Sequence, residues 1–339
     1  MDKRVIFAVA GSGKTTYIIN KLDLINKSII VTYTNNNVEN IRHGIIKKWG
    51  YVPENIKILS YFSFLHSFCY KPILSSTYKT KGIYYKPNGN KFAKNDARYI
   101  SPSERLYSNR ISKFFEVKEV IKDIQQRLEK YYVSLFIDEV QDFAGNDFNF
   151  LKKLARANLN VLMVGDFYQH TFDTSRDGIV NKSLHNDFSE YQKQFSNMGL
   201  ALDYTSLSKS YRCSPTICDF ISQNIGIEIE SHRNDEVLIK IINKKEEAAA
   251  VYYDNLIIKL FYQKHTSFKC NSRNWGECKG DDRYTNVCVV LNKTTLKAFD
   301  KGALQLLPSQ TKNKLYVAST RAKGNLYFVS EELIKSILK

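Results

Sequence analysis

The chain has 339 residues, enough for two ordinary domains, and 43% of them are hydrophobic against 25% charged, the balance of a globular protein with real cores. No apolar run approaches the roughly 20 residues of a membrane helix, so no membrane partner is expected. The formal net charge of +16 suggests a polyanionic partner, most simply DNA or RNA. A lysine-rich composition from an AT-rich genome is the plainer alternative.

The chain opens with an apolar strand, Arg4 to Ala8, a small-residue loop, and a helix beginning near Lys14. This is the G-x-x-x-x-G-K-[ST] phosphate loop with Ala8 in place of the first glycine. Backbone N–H groups of Ala10, Gly11, Ser12 and Gly13 can surround a polyphosphate at the positive end of the helix, which continues through Thr15 and Thr16. Lys14 would reach the β- and γ-phosphates, and the Thr15 hydroxyl would hold Mg²⁺. The apolar run Val5 to Ala10 feeds straight into this loop and does not resemble a signal peptide.

Further strands are expected at Ser28–Thr32, Ile56–Leu59, Tyr132–Ile137 and Asn160–Val164, then around Val237–Ile242, Asn286–Leu291 and Leu326–Val329. Their alternation with helical stretches argues for parallel sheets covered on both faces. Between Leu65 and Lys118 the texture changes to eleven Lys/Arg against three acids, interleaved with ten aromatics. That composition reads as an insertion within one domain. The six cysteines contain no C-x-x-C pair, so neither a zinc set nor a dense disulfide framework is expected. Reduced thiols in a cytoplasmic protein follow.

The apolar strand Leu135-Phe-Ile ends in Asp138-Glu139-Val140-Gln141-Asp142, which presents two carboxylates at a sheet's C-terminal edge. Asp138 is placed to hold Mg²⁺ and Glu139 to polarise an attacking water. Gly165-Asp166-Phe167-Tyr168-Gln169 is again a strand followed by a turn, where Gln169 can bind the γ-phosphate. Ser210-Tyr211-Arg212-Cys213 sets an aromatic beside an arginine, and Val317-Ala318-Ser319-Thr320-Arg321-Ala322-Lys323 precedes the final strand.

In this order the segments resemble the superfamily 1A helicases of the UvrD/Rep/PcrA type, from the phosphate loop to Lys323. The resemblance implies two tandem RecA-like P-loop NTPase domains of α/β class, with parallel sheets and a reduced inserted subdomain. The first domain would take residues 1–64 and 119–203, the insertion 65–118, and the second domain 204–339. ATP would lie in the cleft between the halves, with Arg212 and Arg321 as arginine fingers and Tyr211 stacked on adenine. Segments like Tyr33-Thr34-Asn35 and Ser63-Phe64 lie on single-stranded DNA in that family, and Phe172 would add a stacking ring.

The sequence departs from the family in four places. It begins after the position of the glutamine that reads adenine, which leaves ATP against GTP open. Asp282 stands where a ribose-contacting Glu is expected, in a segment that lacks the family's His. After Gln169 the pattern loses an aromatic and shifts the arginine to Arg176. Only about forty residues, Gly226 to His265, fill the place of the second inserted subdomain. The expected activity is an ATP-dependent translocase or helicase on single-stranded DNA or a tailed duplex, 3′→5′ by resemblance. The alternative is a nucleotide-switched subunit that licenses a partner nuclease of the OLD type, as in Gabija-like anti-phage systems.

Overall fold

A computed structural model describes residues 1–90, 92–171 and 178–338. The expected stacking residue Phe172, and Arg176, lie outside them. The chain divides into two compact units, one within Met1–Phe7, Lys14–Gly165 and Asp173–Asp203, the other within Ala8–Gly13, Asp166–Phe172 and Tyr204–Lys339.

The first unit contains β1 (Lys3–Phe7), β2 (Ser28–Thr32), β3 (Ile56–Ser60), β4 (Ile83–Tyr84), β5 (Leu106–Tyr107), β6 (Ser134–Asp138), β7 (Asn160–Gly165) and β8 (Ala201–Asp203). Its main sheet runs β3-β2-β6-β7-β1-β8, with every neighbouring pair parallel. Val5, Ile6, Ile29, Ile30, Val31, Leu135, Ile137 and Met163 are all essentially inaccessible, as befits strands covered on both faces. Helix Asn35–Trp49 starts where the Thr34 hydroxyl accepts the N–H of Asn37 at 3.2 Å, and ends at Gly50 in the left-handed region. The Thr34 hydroxyl expected on DNA therefore caps a helix.

The basic and aromatic stretch is part of this unit's core. Leu106, Phe114 and Phe115 are fully buried, and Tyr99 and Tyr107 nearly so, while Tyr85 stays 67% exposed. Below them lies Asp147, wholly buried, accepting a hydrogen bond from the Ser112 hydroxyl at 2.7 Å. Burial lifts its carboxyl from 3.8 to about 7, against the pull of that hydrogen bond. The folded state thus binds the proton more tightly than the unfolded one. The stabilisation this proton brings is whole below the unfolded pKa and is lost as pH rises through the folded value. Asp147→Asn is therefore expected to flatten the fall in melting temperature between about pH 4 and about pH 7. Thermal melts across that window measure it, and an unchanged slope would exclude Asp147 as its source.

The second unit contains β9 (Lys209–Ser210), β10 (Glu230–Ser231), β11 (Ile239–Ile242), β12 (Ile257–Phe261), β13 (Ser272–Asn274), β14 (Asn286–Leu291) and β15 (Leu326–Ser330). The larger sheet runs β11-β15-β14-β12-β13, again all parallel. Alternate residues of β14 point to opposite cores. Val287 and Val289 pack with Ile217, Leu315 and Phe328, whereas Cys288 and Val290 pack with Ala248, Tyr252 and Ile334. Helices cover both faces. The Gly226–His265 stretch, expected only as a shortened insertion, supplies β11, β12 and the helix Lys245–Tyr253 to this sheet. Both large sheets are the parallel α/β arrangement expected from the strand pattern.

Candidate nucleotide site

In the first unit, β6 delivers Asp138 and Glu139 at its C-terminal end, beside the start of helix Lys14–Lys21. Asp138 is 2% exposed, and the Thr32 hydroxyl lies 3.5 Å from its Oδ2. Glu139 takes the left-handed conformation, φ +55°, and turns its carboxylate back toward Lys14, with Nζ to Oε1 at 3.9 Å. Gln141, fully buried, donates its amide to Oε2 of the same carboxylate. Gly165 lies behind them. A Cβ there would fall 2.7 Å from Val140 Cγ1 and 3.1 Å from Val140 N, so a side chain would push this turn away. Thr15 is half-buried and Thr16 exposed on the helix.

The second unit gathers the rest. Within the phosphate loop, Gly11 and Gly13 have φ of +72° and +83°. Gly11 also allows a close approach, since a Cβ would lie 2.6 Å from Arg212 Cβ and 2.7 Å from Ser210 Oγ. Its carbonyl accepts the N–H of Tyr211 at 2.9 Å. The N–H of Ala10 donates to the Tyr316 hydroxyl at 2.9 Å, and that hydroxyl donates to Asp166 Oδ2 at 3.0 Å. Burial first, then Asp166, raises the Tyr316 pKa well above its ordinary value, so the hydroxyl keeps its proton. Ser12 is 1% exposed and donates its hydroxyl to the Val9 carbonyl at 2.8 Å. Gln169 is 3% exposed, on the turn that Asp166 caps.

Arg212 and Arg321, far apart in sequence, meet at one carboxylate. Arg212 Nη2 donates to Asp282 Oδ1, and Arg321 Nη1 lies 3.5 Å from the same oxygen. Arg321 is 2% exposed and held by Val317 O on Nε at 3.2 Å. Burial and then the neighbouring Arg321 lower the Arg212 pKa, and Asp282 opposes them. The Asp282 carboxylate expected on a ribose is thus engaged with both arginines. Tyr211 is 64% exposed, one face stacked on His232 at 4.0 Å and 13°.

Sequence reasoning passed over His232, Arg233 and Tyr316. Arg233 grips Asp235 with Nε at 2.7 Å and donates Nη1 to the carbonyls of Arg212 and Lys323, the latter at 2.6 Å. It ties together the backbones of both arginine segments. The Arg-x-Asp spacing was the available signal.

The candidate nucleic-acid residues divide. Tyr33 is half-buried and stacks on Tyr61 at 5.8 Å, while Asn35 and Ser63 are exposed. Phe64 is 0% exposed and stacked on Phe68 at 5.5 Å, so it presents no face to a base. Its half-buried neighbour Phe62, edge-on to Tyr85 at 5.3 Å, is the ring nearer the surface. The helical turn from Tyr61 points alternate rings in and out, and the core takes Phe64.

The donor set fits Mg²⁺. A threonine hydroxyl and a buried carboxylate are hard oxygen donors, and such ions take most remaining ligands from phosphates and water. Accordingly, the described residues hold no group of three or more His, Cys, Asp or Glu able to bind a metal by itself. No helix among them is long and apolar enough to cross a membrane.

The sequence matches the family model of the viral superfamily 1 RNA helicase core domain over residues 104–330, and that of an AAA domain over residues 2–173. No curated protein matches it. Among solved structures, arterivirus nonstructural protein 10, a helicase in complex with DNA, is similar with a TM-score of 0.52 at 14% identity, covering 99% of this chain and 63% of that one. The crystal structure of the arterivirus helicase also gives 0.52 at 14% identity, covering 98% and 61%. The chain spans about three-fifths of the length of these helicases, and at such identity the likeness carries the fold. With more than half of its length matched by the core model, the chain belongs to the viral superfamily 1 RNA helicase core family.

Proposed function

We propose that this chain is an ATP-dependent translocase of UvrD-like type on single-stranded nucleic acid, DNA by its motifs, moving 3′→5′ by resemblance. The observation that carries the reading is the convergence of Arg212 and Arg321 on one carboxylate, an arrangement suited to a phosphate's charge. Lys14 reaches the β- and γ-phosphates, and Thr15 with Asp138 would hold Mg²⁺, which neutralises charge developing on the phosphate oxygens. Glu139 takes the proton of the attacking water. Gln169 reads the γ-phosphate, both arginines stabilise the transferring group, and the exposed face of Tyr211 stacks on the base. Tyr33, Asn35 and Ser63, with Phe62 in place of Phe64, form the strand contacts. The two domains would be 1–64 with 119–203, and 204–339, with 65–118 as the reduced insertion; the change of compact unit between Asp203 and Tyr204 supports that one boundary, while Ala8–Gly13 and Asp166–Phe172 group with the second unit.

Purified protein is expected to hydrolyse ATP faster by at least about tenfold when a single-stranded oligonucleotide is added. A phosphate-release assay with DNA and RNA homopolymers side by side tests this and ranks the two, as the family's RNA name requires. A rate indifferent to both would end the translocase reading. No feature of the described residues favours the alternative of a subunit that licenses a nuclease, and unwinding of a tailed duplex by the chain alone would exclude it.

A further inference from the structure

Helix Gly145–Leu154 follows β6 and presents a polar stripe. Asn146, Asn149 and Lys153 recur at spacings of three and four, the repeat that keeps residues on one helical face, and Arg156 follows in the turn just past the helix end. Together with Lys152 they line a cavity of about 330 Å³, closed from the other side by Arg98, Lys113 and Glu116. Among the described residues, five cations thus line the cavity with one carboxylate, and Val180 is the apolar member. Glu116 is shared by Lys113 at 3.1 Å and Lys153 at 3.0 Å. Burial would raise its pKa, but these two hydrogen bonds outweigh it and lower the value, so the acid stays charged and still offsets only part of the cluster.

The plain explanation is that the lysines complement the negative end of their helix. That end carries about half an elementary charge. It accounts for one cation at the helix terminus and leaves Arg98 and Lys113, on other elements, without that reason. Asparagine amides beside cations are the donors that bind phosphate and sugar oxygens. Among the described residues the lining includes no aromatic ring, so these residues offer no stacking platform for bases.

We propose that this cavity is a second nucleic-acid contact, a track for the phosphodiester backbone that binds without reading bases. It rests on the reading that the protein works on nucleic acid, and its lining shares no residue with the Tyr33 and Ser63 segments assigned to the strand above. The probe is a fluorescein-labelled 20-nucleotide homopolymer, titrated by anisotropy at several salt concentrations. K152E/R156E is expected to weaken binding by about tenfold at 0.1 M salt and to lower the steepness of log affinity against log salt by about 1.4, two contacts at about 0.7 each on a single strand. K297E/K301E, an equal change of net charge on exposed residues of the second unit, is expected to leave that slope unchanged. K152Q/R156Q should reproduce the slope change without added repulsion, and thermal melts verify that the variants fold. An abasic oligonucleotide should lose the same increment as the homopolymer, and inorganic triphosphate at the same charge concentration should not compete. Equal slopes in wild type and all variants would overturn the track while leaving the function intact, as would equal losses in both reversal pairs. Competition by free triphosphate that persists in Lys14→Ala and is lost in K152Q/R156Q would make it a small-anion site instead. Absence of any oligonucleotide binding by wild type would remove both this proposal and the function it rests on.

Discussion

Replacing Glu139 by glutamine is expected to lower the turnover number of ATP hydrolysis by about 10²–10⁴-fold, the usual worth of a general base, while nucleotide affinity stays within about threefold. The geometry makes this substitution informative. Glu139 sits in the left-handed region directly after a buried strand, where a backbone turn aims its carboxylate at Lys14 across 3.9 Å. The second carboxylate oxygen is occupied by the Gln141 amide, so the side chain has little freedom to rotate away. Glutamine preserves its size and removes its ability to take a proton. Because Lys14 loses a partner and not a phosphate contact, binding of a fluorescent ATP analogue should persist. Single-turnover hydrolysis together with that binding assay separates the two quantities. A turnover within about threefold of wild type would remove Glu139 from the chemistry.

The loop, strand and helix proposed to carry that site leave marks in residue order, for a physical reason. A phosphate loop needs small residues and a lysine at fixed spacing, and the carboxylates must follow an apolar strand, so both leave local marks. Strands buried on both faces are apolar runs, which is why β2 and β14 fall where their composition puts them. β12 escaped because Lys259 interrupts Ile257–Phe261. Its stem is fully buried, and its ammonium donates to the carbonyls of Asp254 at 2.7 Å and Ile257 at 3.0 Å. Capping carbonyls at a strand's own start lets a lysine occupy a core position, and no composition rule detects that. The short β8 and β13 carry too few residues to show a period.

The assignment of Phe64 failed where packing, and not chemistry, decides. Phe62 and Phe64 are two residues apart in a helical turn, and only the tertiary core selects which of them is hidden. Asp282 is a different case. Its type was noticed, but its engagement with two arginines depends on a loop bringing residues 70 and 39 positions away to one point.

Arg212→Ala and Arg321→Ala are each expected to cost about 10³-fold or more in turnover, the range found for arginine fingers. The two should differ in stability. Arg321 is 2% exposed and its Nε serves the Val317 carbonyl, which also accepts the Thr320 hydroxyl at 3.2 Å, so truncation leaves a large void in a buried site, at about 2–4 kcal/mol. Arg212 is also largely covered, its side chain 10% exposed and its Nη1 donating to the Thr320 carbonyl at 3.3 Å, but truncating it leaves Arg321 still paired with Asp282, which limits its structural cost. Arg321→Lys keeps the charge and most of the volume but loses the planar fork that reaches two acceptors at once. It should recover most of the melting temperature and little of the turnover, which separates a structural role from a catalytic one. With both guanidiniums on one phosphate, as proposed, the double alanine variant should be scarcely slower than either single one. Steady-state hydrolysis by the four proteins measures this. Turnover in Arg321→Lys equal to wild type, or full multiplicative loss in the double variant, would show that the two arginines do not act together on the transferring group.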